Sequence, residues 1–228
     1  MSYLLSIDTA TQVCSVALYE HQTPIAYAEN HTPNSHSSVL PLLIQQVLAQ
    51  GNCSKEQLSA IVISAGPGSY TGLRIGVATA KGLCFSLDIP LIAVNTLEAL
   101  AQQVMMMQPR KETFYYCPML DARRMEVYCT VLDAENNIIS PTEAKIITQD
   151  SFKELFLHHK ILFFGNGAAK CKPLWQHEPN AYFLEGVYSQ ANTIAQIGQQ
   201  KYANQQWENI AYFEPYYLKD FWVMPKEK

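Results

Sequence analysis

The chain has 228 residues, of which 48% are hydrophobic and 16% are charged, and its formal net charge is -4. This composition excludes an intrinsically disordered chain, which needs low hydrophobicity and high charge. It disfavours a protein that binds nucleic acid unaided, which needs a basic surface. There is no basic signal-peptide start and no run of about 18 apolar residues, so we expect a cytoplasmic protein. The six cysteines form no Cys-x-x-Cys pair, which favours buried thiols over a disulfide framework or a zinc site.

The first half of the chain predicts three strands followed by alternating helices and strands. Residues 3–7, 13–19 and 25–30 are short apolar or alternating runs, typical of an antiparallel meander. The apolar spacing after His36 predicts a helix that ends near Gly51. The remaining predicted elements are a buried strand over 60–64, a helix over 71–87, a strand over 91–94 and a helix over 96–107.

Two features of this half are typical of a nucleotide site. The glycine-rich turn with Gly66 and Gly68 lies between a buried strand and a helix, where backbone N–H groups can cradle a phosphate. The turn matches neither the dinucleotide fingerprint nor the P-loop, so a tight turn with close helix packing is the favoured interpretation. Asp8 ends the first strand, where actin-like and sugar-kinase-type proteins place a metal-coordinating aspartate. Those proteins have glycines directly after this aspartate, whereas Asp8 is followed by Thr9, Ala10 and Thr11. A capping or turn role for Asp8 is therefore at least equally supported.

The helix that ends near Gly51 and the helix over 71–87 predict a protein contact surface. No charged residue occurs between Asn30 and Ser54, and the second helix is apolar nearly all round. A solvated helix normally carries charges on its outer face. We therefore predict that a partner covers both helices, with burial inside the chain's own core as the alternative. The predicted contact residues are Val39, Leu42, Gln46, Ala49, Gly72, Ile75, Gly76, Ala78, Thr79, Gly82 and Phe85.

A polar stretch at 108–112 marks a domain boundary, after which a second β-rich start follows. The predicted elements are strands over 113–120, 125–132 and 137–144, a helical segment over 150–158, a buried strand over 161–164 and a helix over 189–203. Two halves that each open with three strands predict a duplicated α/β unit. The predicted division is an N-terminal domain (1–108), a smaller C-terminal domain (109–211) and an aromatic tail (212–228) that packs back on the body.

The second half offers weaker site candidates. A second glycine-rich turn follows the strand over 161–164, and we group it with the features of the first half. The candidate vestigial nucleotide site comprises Asp8, Gly66, Gly68, Gly165 and Gly167. Arg123 and Arg124 lie between two predicted strands, which is typical of a polar hairpin turn and alternatively of an anion site. The six histidines lack metal-ligand spacing, so we expect no metal site.

Several of these segments carry specific motifs in a fixed order. The segments are Leu5–Thr11, His36-Ser37 with Leu40-Pro41, Gly66–Gly76, Ala80–Leu83, Thr96–Ala101 and Asp121–Arg124. Together they resemble the TsaB (YeaZ) family, bacterial partners in making threonylcarbamoyladenosine at position 37 of tRNA. The resemblance continues more weakly through 165–169 and 214–218. It implies an α/β fold of the duplicated actin-like ATPase (ASKHA, RNase H-like) type, with two βββαβα-type domains and a degenerate second half.

The resemblance also implies a protein that is not an enzyme and that pairs with the catalytic subunit TsaD through the two helices. TsaD-type chains carry a His-x-Glu-Gly-His metal motif at a position where this chain has Asn95-Thr96-Leu97-Glu98-Ala99. The same surface is expected to form a homodimer when the chain is alone, and the TsaE ATPase is a second expected partner. ATP and metal are expected to bind to TsaD. Whether a nucleotide also binds near the interface of the two proteins is left open. Contact with tRNA is expected only through the assembled complex.

Two rival functions stay open from the residues alone. An actin-like phosphotransferase or ATPase would use Asp8 and the glycine-rich turns. A peptidase is a further rival, because related chains have been labelled glycoproteases. The missing histidine ligands and the lack of a Ser-His-Asp or Cys-His arrangement count against the peptidase.

Overall fold

The computed structural model describes residues 2–107 and 114–219, which form two lobes around two five-stranded sheets. The first sheet contains β1 (Tyr3–Asp8), β2 (Cys14–Glu20), β3 (Thr23–Asn30), β4 (Leu58–Gly66) and β5 (Leu91–Asn95). Its order is β3-β2-β1-β4-β5, with β1, β2 and β3 antiparallel and with β4 and β5 parallel to β1. The predicted meander and the two predicted buried strands therefore form one mixed sheet, in which the structure makes the buried strands parallel to β1.

Helices cover both faces of the first sheet, which explains why its central strands are apolar on both sides. On one face lie α1 (His36–Gln50) and α2 (Tyr70–Leu87), which pack with Leu5, Ile7 and Ile61. The alternate strand residues Leu4 and Val62 point to the opposite face, because side chains alternate along a strand. Successive side chains of one strand therefore belong to two different hydrophobic clusters, one on each face of the sheet.

The second lobe repeats the same topology. Its sheet contains β6 (Phe114–Asp121), β7 (Glu126–Leu132), β8 (Ile138–Ile146), β9 (Lys160–Phe164) and β10 (Ala181–Leu184). Its order is β10-β9-β6-β7-β8, with an antiparallel meander and two parallel strands, as in the first lobe. The predicted duplicated actin-like α/β fold is confirmed. The second half is degenerate in its helices, since α4 (Lys153–Phe156) and a 3-10 segment (Ala169–Trp175) replace long helices.

Two further helices lie between and behind the sheets. Helix α3 (Thr96–Met107) packs its apolar side on the second sheet, against Leu120 and Phe164. Helix α5 (Ala191–Ala203) packs on the first sheet, where Ile194 joins the cluster of β1, β4 and β5 and Gly198 lies against Val62.

The structure differs from the predicted domain division at α5. The predicted C-terminal domain (109–211) includes this helix, but its apolar side is buried on the first sheet. The chain returns from the second lobe to the first sheet, where α5 buries the apolar face opposite α1 and α2. The order of elements along the chain does not reveal which sheet a helix covers. The predicted boundary at 108 lies in residues 108–113, outside the described residues.

The C-terminal tail lies along both lobes as far as residue 219. Glu208 forms an isolated bridge with Leu91, and Tyr216 N donates a hydrogen bond to Ala65 O at 2.7 Å. Lys81 Nζ donates to the carbonyl oxygen of Phe213 at 3.1 Å. The predicted tail continues to 228, and residues 220–228 lie outside the described part. None of the described helices combines the length and hydropathy that a membrane crossing requires.

Candidate functional site

The outer face of α1 and α2 is the main candidate site, because it presents apolar side chains to solvent. Leu42 is 63% exposed and Phe85 is 84% exposed. Four smaller or polar neighbours are also exposed, and three residues are half-buried on the same two helices. The exposed ones are Gln46, Ala49, Ala78 and Gly82, and the half-buried ones are Val39, Ile75 and Thr79.

The inner sides of the two helices explain why this outer face is left over. Leu40 and Val47 are fully buried below α1, and Leu73 and Ala80 are buried below α2. The two helices therefore satisfy the core of the first lobe with one side each. Their other sides are covered only in part by the chain's own packing, through Val39 and Ile75, and they leave the apolar side chains of Leu42 and Phe85 in water.

Charge is almost absent from this outer face. Helix α1 carries no ionisable side chain except His36, which is buried and whose Nε2 lies 3.0 Å from Thr11 O. The only charged side chains of helix α2 are Arg74 and Lys81, and the Lys81 ammonium group donates hydrogen bonds to carbonyl oxygens of the tail. Depletion of charge at the centre of a patch is typical of protein interfaces.

Two of the predicted contact residues lie elsewhere. Gly72 and Gly76 are buried against the turn after β1, and a Cβ atom added to Gly72 would lie 2.2 Å from Thr9 O. The corresponding atom at Gly76 would lie 2.2 Å from Thr9 Oγ1. These two glycines face the chain's own core, so their inclusion in the contact surface is corrected. Their small size serves the close approach of α2 to the turn.

Asp8 lies at the end of β1 and is fully buried. Its Oδ1 accepts a hydrogen bond from Ala10 N at 2.9 Å, and its Oδ2 accepts one from the hydroxyl of Ser189, which comes from the second half of the chain. Burial raises the pKa of Asp8, although hydrogen bonds from Ser189, Ala10 and Ser64 oppose the rise. In this conformation the carboxyl group has no exposed surface from which to hold a solvated metal ion.

The two glycine-rich turns serve close backbone packing within their own lobes. A Cβ atom at Gly68 would lie 2.3 Å from Ala10 O, and one at Gly167 would lie 2.8 Å from Leu120 C. Gly66 and Gly165 adopt positive φ angles of 103° and 94°, which favour glycine. Each turn thus presses on the end of its own lobe's first strand. The described contacts connect Asp8 to Ser189 rather than to Gly165 or Gly167.

Sequence reasoning missed Ser189 as the partner of Asp8, because 181 positions separate them and a lone serine carries no motif. It also left unassigned a cavity of the second lobe that lies beside the glycine-rich turn after β9. This cavity has a volume of about 340 Å³ and is lined by residues of the turn after β9 together with Phe183, Val187 and Tyr188. The one lysine in its lining, Lys172, forms an ion pair of 2.7 Å with Glu185. Within the described residues, no group of three or more His, Cys, Asp or Glu side chains is arranged to hold a metal ion.

Comparison with known proteins relates this geometry to one group. A family model described as TsaD, tRNA N6-adenosine threonylcarbamoyltransferase, matches residues 30–226. The tRNA threonylcarbamoyladenosine biosynthesis protein TsaB of Bacillus subtilis (strain 168) is 30% identical over 207 residues, which are 88% of this chain and 88% of that protein. The protein of the same name from Escherichia coli (strain K12) is 28% identical over 95% of this chain and 94% of its own length.

Solved structures show the same fold. The structure described as YeaZ from Pseudomonas aeruginosa has a TM-score of 0.75 and 23% identity, and the match covers 96% of this chain and 100% of that one. A second Pseudomonas aeruginosa structure, described as an uncharacterized protein with similarity to peptidase YEAZ, has a TM-score of 0.80 over the same shares. At this identity the likeness concerns the fold alone.

Proposed function

Since the chain belongs to the TsaB (YeaZ) family, we propose that it is a partner subunit in tRNA threonylcarbamoyladenosine biosynthesis. In this role it binds and activates a TsaD-type transferase, which forms N6-threonylcarbamoyladenosine at position 37 of tRNAs that read codons beginning with A. It supplies no catalytic residue, and the ATP and the metal belong to the transferase. A TsaE-type ATPase joins the complex, which works in the cytoplasm.

The apolar outer face of α1 and α2 carries this proposal. Leu42 and Phe85 lie exposed on a helix pair that is nearly free of charge. Each Å² of apolar surface removed from water is worth about 25 cal/mol, so a second chain gains by covering this face. A transferase with the same fold would offer an equivalent helix pair, and the two pairs would pack around a pseudo-twofold axis. The same face would support a homodimer when the transferase is absent.

The buried state of Asp8 supports the non-catalytic part of the proposal. A phosphotransferase or ATPase of this fold needs a first-strand carboxylate that reaches a metal–nucleotide complex. Here Ser189 and the backbone of Ala10 hold the carboxyl group inside the protein. ATP turnover by the pure chain that disappears in Asp8→Asn would favour the rival enzyme instead.

Reconstitution tests the role directly. Unmodified tRNA is incubated with TsaD, TsaE, the adenylate-forming enzyme, ATP, threonine and bicarbonate, with and without this chain. We expect threonylcarbamoyladenosine to accumulate only when the chain is present. Equal modification in both reactions would remove the activating role.

A pair of matched variants tests the surface. Leu42→Glu with Phe85→Glu is expected to abolish association with TsaD and self-association, because two carboxylates would be buried without partners. The free chain should stay folded, since both side chains are exposed. Leu157→Glu with Ile146→Glu is the control, because these second-lobe side chains are 64% and 70% exposed. Light scattering after size exclusion measures both; a Leu42/Phe85 variant that still associates normally contradicts the assignment.

A further inference from the structure

The loop between β6 and β7, residues 121–126, holds two consecutive arginines in a disfavoured backbone conformation. Arg123 has φ 69° and Arg124 has φ 49°, and both side chains are exposed. Residues with a Cβ atom avoid this left-handed region, which glycine and asparagine tolerate best. Arginine at both positions is therefore not explained by the needs of the turn.

The carboxylates of this loop are already matched by other cations. Asp121 pairs with Lys170, whose ammonium group also donates to Glu126 O at 2.6 Å. Glu126 pairs with Lys219 from the tail. Asp121 Oδ1 additionally accepts a hydrogen bond from the backbone N–H of Arg123 at 3.0 Å.

Within residues 2–107 and 114–219, the structure gives neither Arg123 nor Arg124 an ion-pair partner. Among the described residues, two carboxylates and four cations meet in and around the loop, so this part of the structure carries a local excess of positive charge, although the net charge of the chain is -4. A guanidinium group that is exposed and unpaired can offer its parallel N–H donors to an incoming phosphate.

The tail connects this loop to the edge of the helix surface. Two residues before Lys219, the ring of Tyr217 lies 4.7 Å from the ring of Tyr70 at the start of α2. The guanidinium carbon of Arg74 lies 4.1 Å from the centre of the Tyr70 ring. Cations and aromatic rings thus continue from the loop to the start of α2. Within the described tail segment 210–219, the one acidic residue is Glu214. Interleaved cations and aromatic rings suit an RNA strand better than an acidic protein surface.

We infer that the 121–126 loop contacts the phosphate backbone of the RNA substrate in the assembled complex, with Arg123 and Arg124 as the phosphate ligands. The inference rests on the proposed function, because two arginines on an acidic chain are too few to bind RNA alone. They act when the partner enzyme holds the RNA and this chain extends the positive surface beside it.

The first test is charge reversal in the assembled complex. Arg123→Glu with Arg124→Glu is combined with TsaD, and tRNA binding is measured by fluorescence anisotropy over a range of salt concentrations. We expect the affinity at low salt to fall by about tenfold or more, and the slope of log affinity against log salt to lose about two units. The control is Lys55→Glu with Lys153→Glu, which changes two exposed lysines. These lysines precede β4 and β9, so they lie toward the ends of the strands opposite to the 121–126 loop. The control variant should retain the wild-type salt slope.

A second variant separates charge from folding. Arg123→Asn with Arg124→Gly removes both charges and places the best-tolerated residues in the left-handed positions. We expect a thermal midpoint at or above that of the wild type, together with the same loss of two units in the salt slope.

Three results would overturn the inference. One is an unchanged tRNA affinity and salt slope in both arginine variants. Another is loss of TsaD or TsaE from the complex in these variants alone, which would assign the loop to a protein interface. If the wild-type chain neither assembles with TsaD nor supports modification, the proposed function fails together with the inference. If the wild-type complex is active and the arginine variants bind tRNA normally, the inference fails but the proposed function stands.

Discussion

The two lobes share one strand order and differ in what covers their sheets. In the first lobe, α1 has 15 residues and α2 has 18 residues. At the equivalent positions of the second lobe, α4 has four residues and the 3-10 segment has seven. The duplicated strands therefore do not require duplicated helices. Only the first lobe presents two long helices side by side, and it alone carries the candidate contact surface.

Aromatic side chains replace the missing helices in the second lobe. Trp175 stacks on Phe163 with ring centres 4.9 Å apart, and Phe152 and Phe156 meet the same two rings edge-on. These large rings bury much area from short segments. The comparison teaches that a sheet face needs an apolar cover, while the form of the cover decides whether a flat outer surface remains for a partner.

The ends of the first strands show the same divergence. Asp8 ends β1 and Asp121 ends β6, so the two carboxylates hold equivalent places in the repeat. Asp8 is fully buried under Ser189, whereas Asp121 is exposed and paired with Lys170. One copy thus holds the segment that leads into α5, and the other shapes an exposed loop.

Removing the central ring of the second lobe should produce the largest effect. Trp175 is 3% exposed, and its indole N–H donates to Gln149 O at 3.3 Å. We expect Trp175→Ala to lower the free energy of unfolding by about 3–5 kcal/mol, because it leaves a large cavity among the rings. Urea denaturation measures the loss, with Trp207→Ala (51% exposed in the wild type) as the control. A change below about 1 kcal/mol would mean that the aromatic cover is dispensable.

Two glycines of α2 should respond in opposite directions. Gly72→Ala is expected to destabilise the chain by about 1–3 kcal/mol, because its Cβ atom would lie 2.2 Å from Thr9 O. Gly82→Ala is expected to stabilise it by up to about 1 kcal/mol, because no atom lies within 4 Å and alanine favours the helix. Thermal unfolding of both variants measures the difference. Equal effects would contradict the assignment of Gly72 to the inner face and Gly82 to the outer face.

The smallest expected effect is a change in the pH dependence of stability. The pKa of Asp8 is raised in the folded state by burial, so the folded protein holds this proton more tightly than the unfolded chain does. Its contribution to stability is complete below the unfolded pKa of about 3.9 and is lost as the pH rises through the folded pKa. We therefore expect Asp8→Asn to become more stable relative to the wild type as the pH rises from about 4 to 7.

Chemical denaturation of both proteins at each pH measures this difference. Ser189→Ala is the companion variant: it removes a hydrogen bond that lowers the pKa of Asp8, so its loss of stability should grow with pH. A difference between wild type and Asp8→Asn that stays constant over this range would contradict the raised pKa.

Much of the fold could be predicted because it rests on local patterns. The strand alternation in 13–19 and the helical spacing after His36 appear in the structure as β2 and α1. The short strand β10 was missed, and the predicted helical segment 150–158 holds only the four-residue α4. Neither four-residue element is long enough to show a period, and both are held by packing on neighbouring strands.

The candidate site divides in the same way. The outer face with few charges could be predicted, since the scarcity of charged residues on both helices is visible along the chain and Leu42 and Phe85 are exposed as expected. The role of Gly72 and Gly76 could not, because a glycine fits a partner surface and a close internal contact equally well. The nearest atoms of Thr9 decide between them, and that contact joins residues about sixty positions apart.

The repeated succession of strands along the chain, the two apolar helices and the motifs that identify the family can all be read from the residues. These features depend on side-chain period and on residues close together in the chain. Three features emerge only from the folded chain: α5 covers the first sheet, Ser189 closes over Asp8, and Lys170 and Lys219 leave two arginines without ion-pair partners among the described residues. Each of these depends on which distant surfaces meet, and burial and charge pairing are settled only where they do.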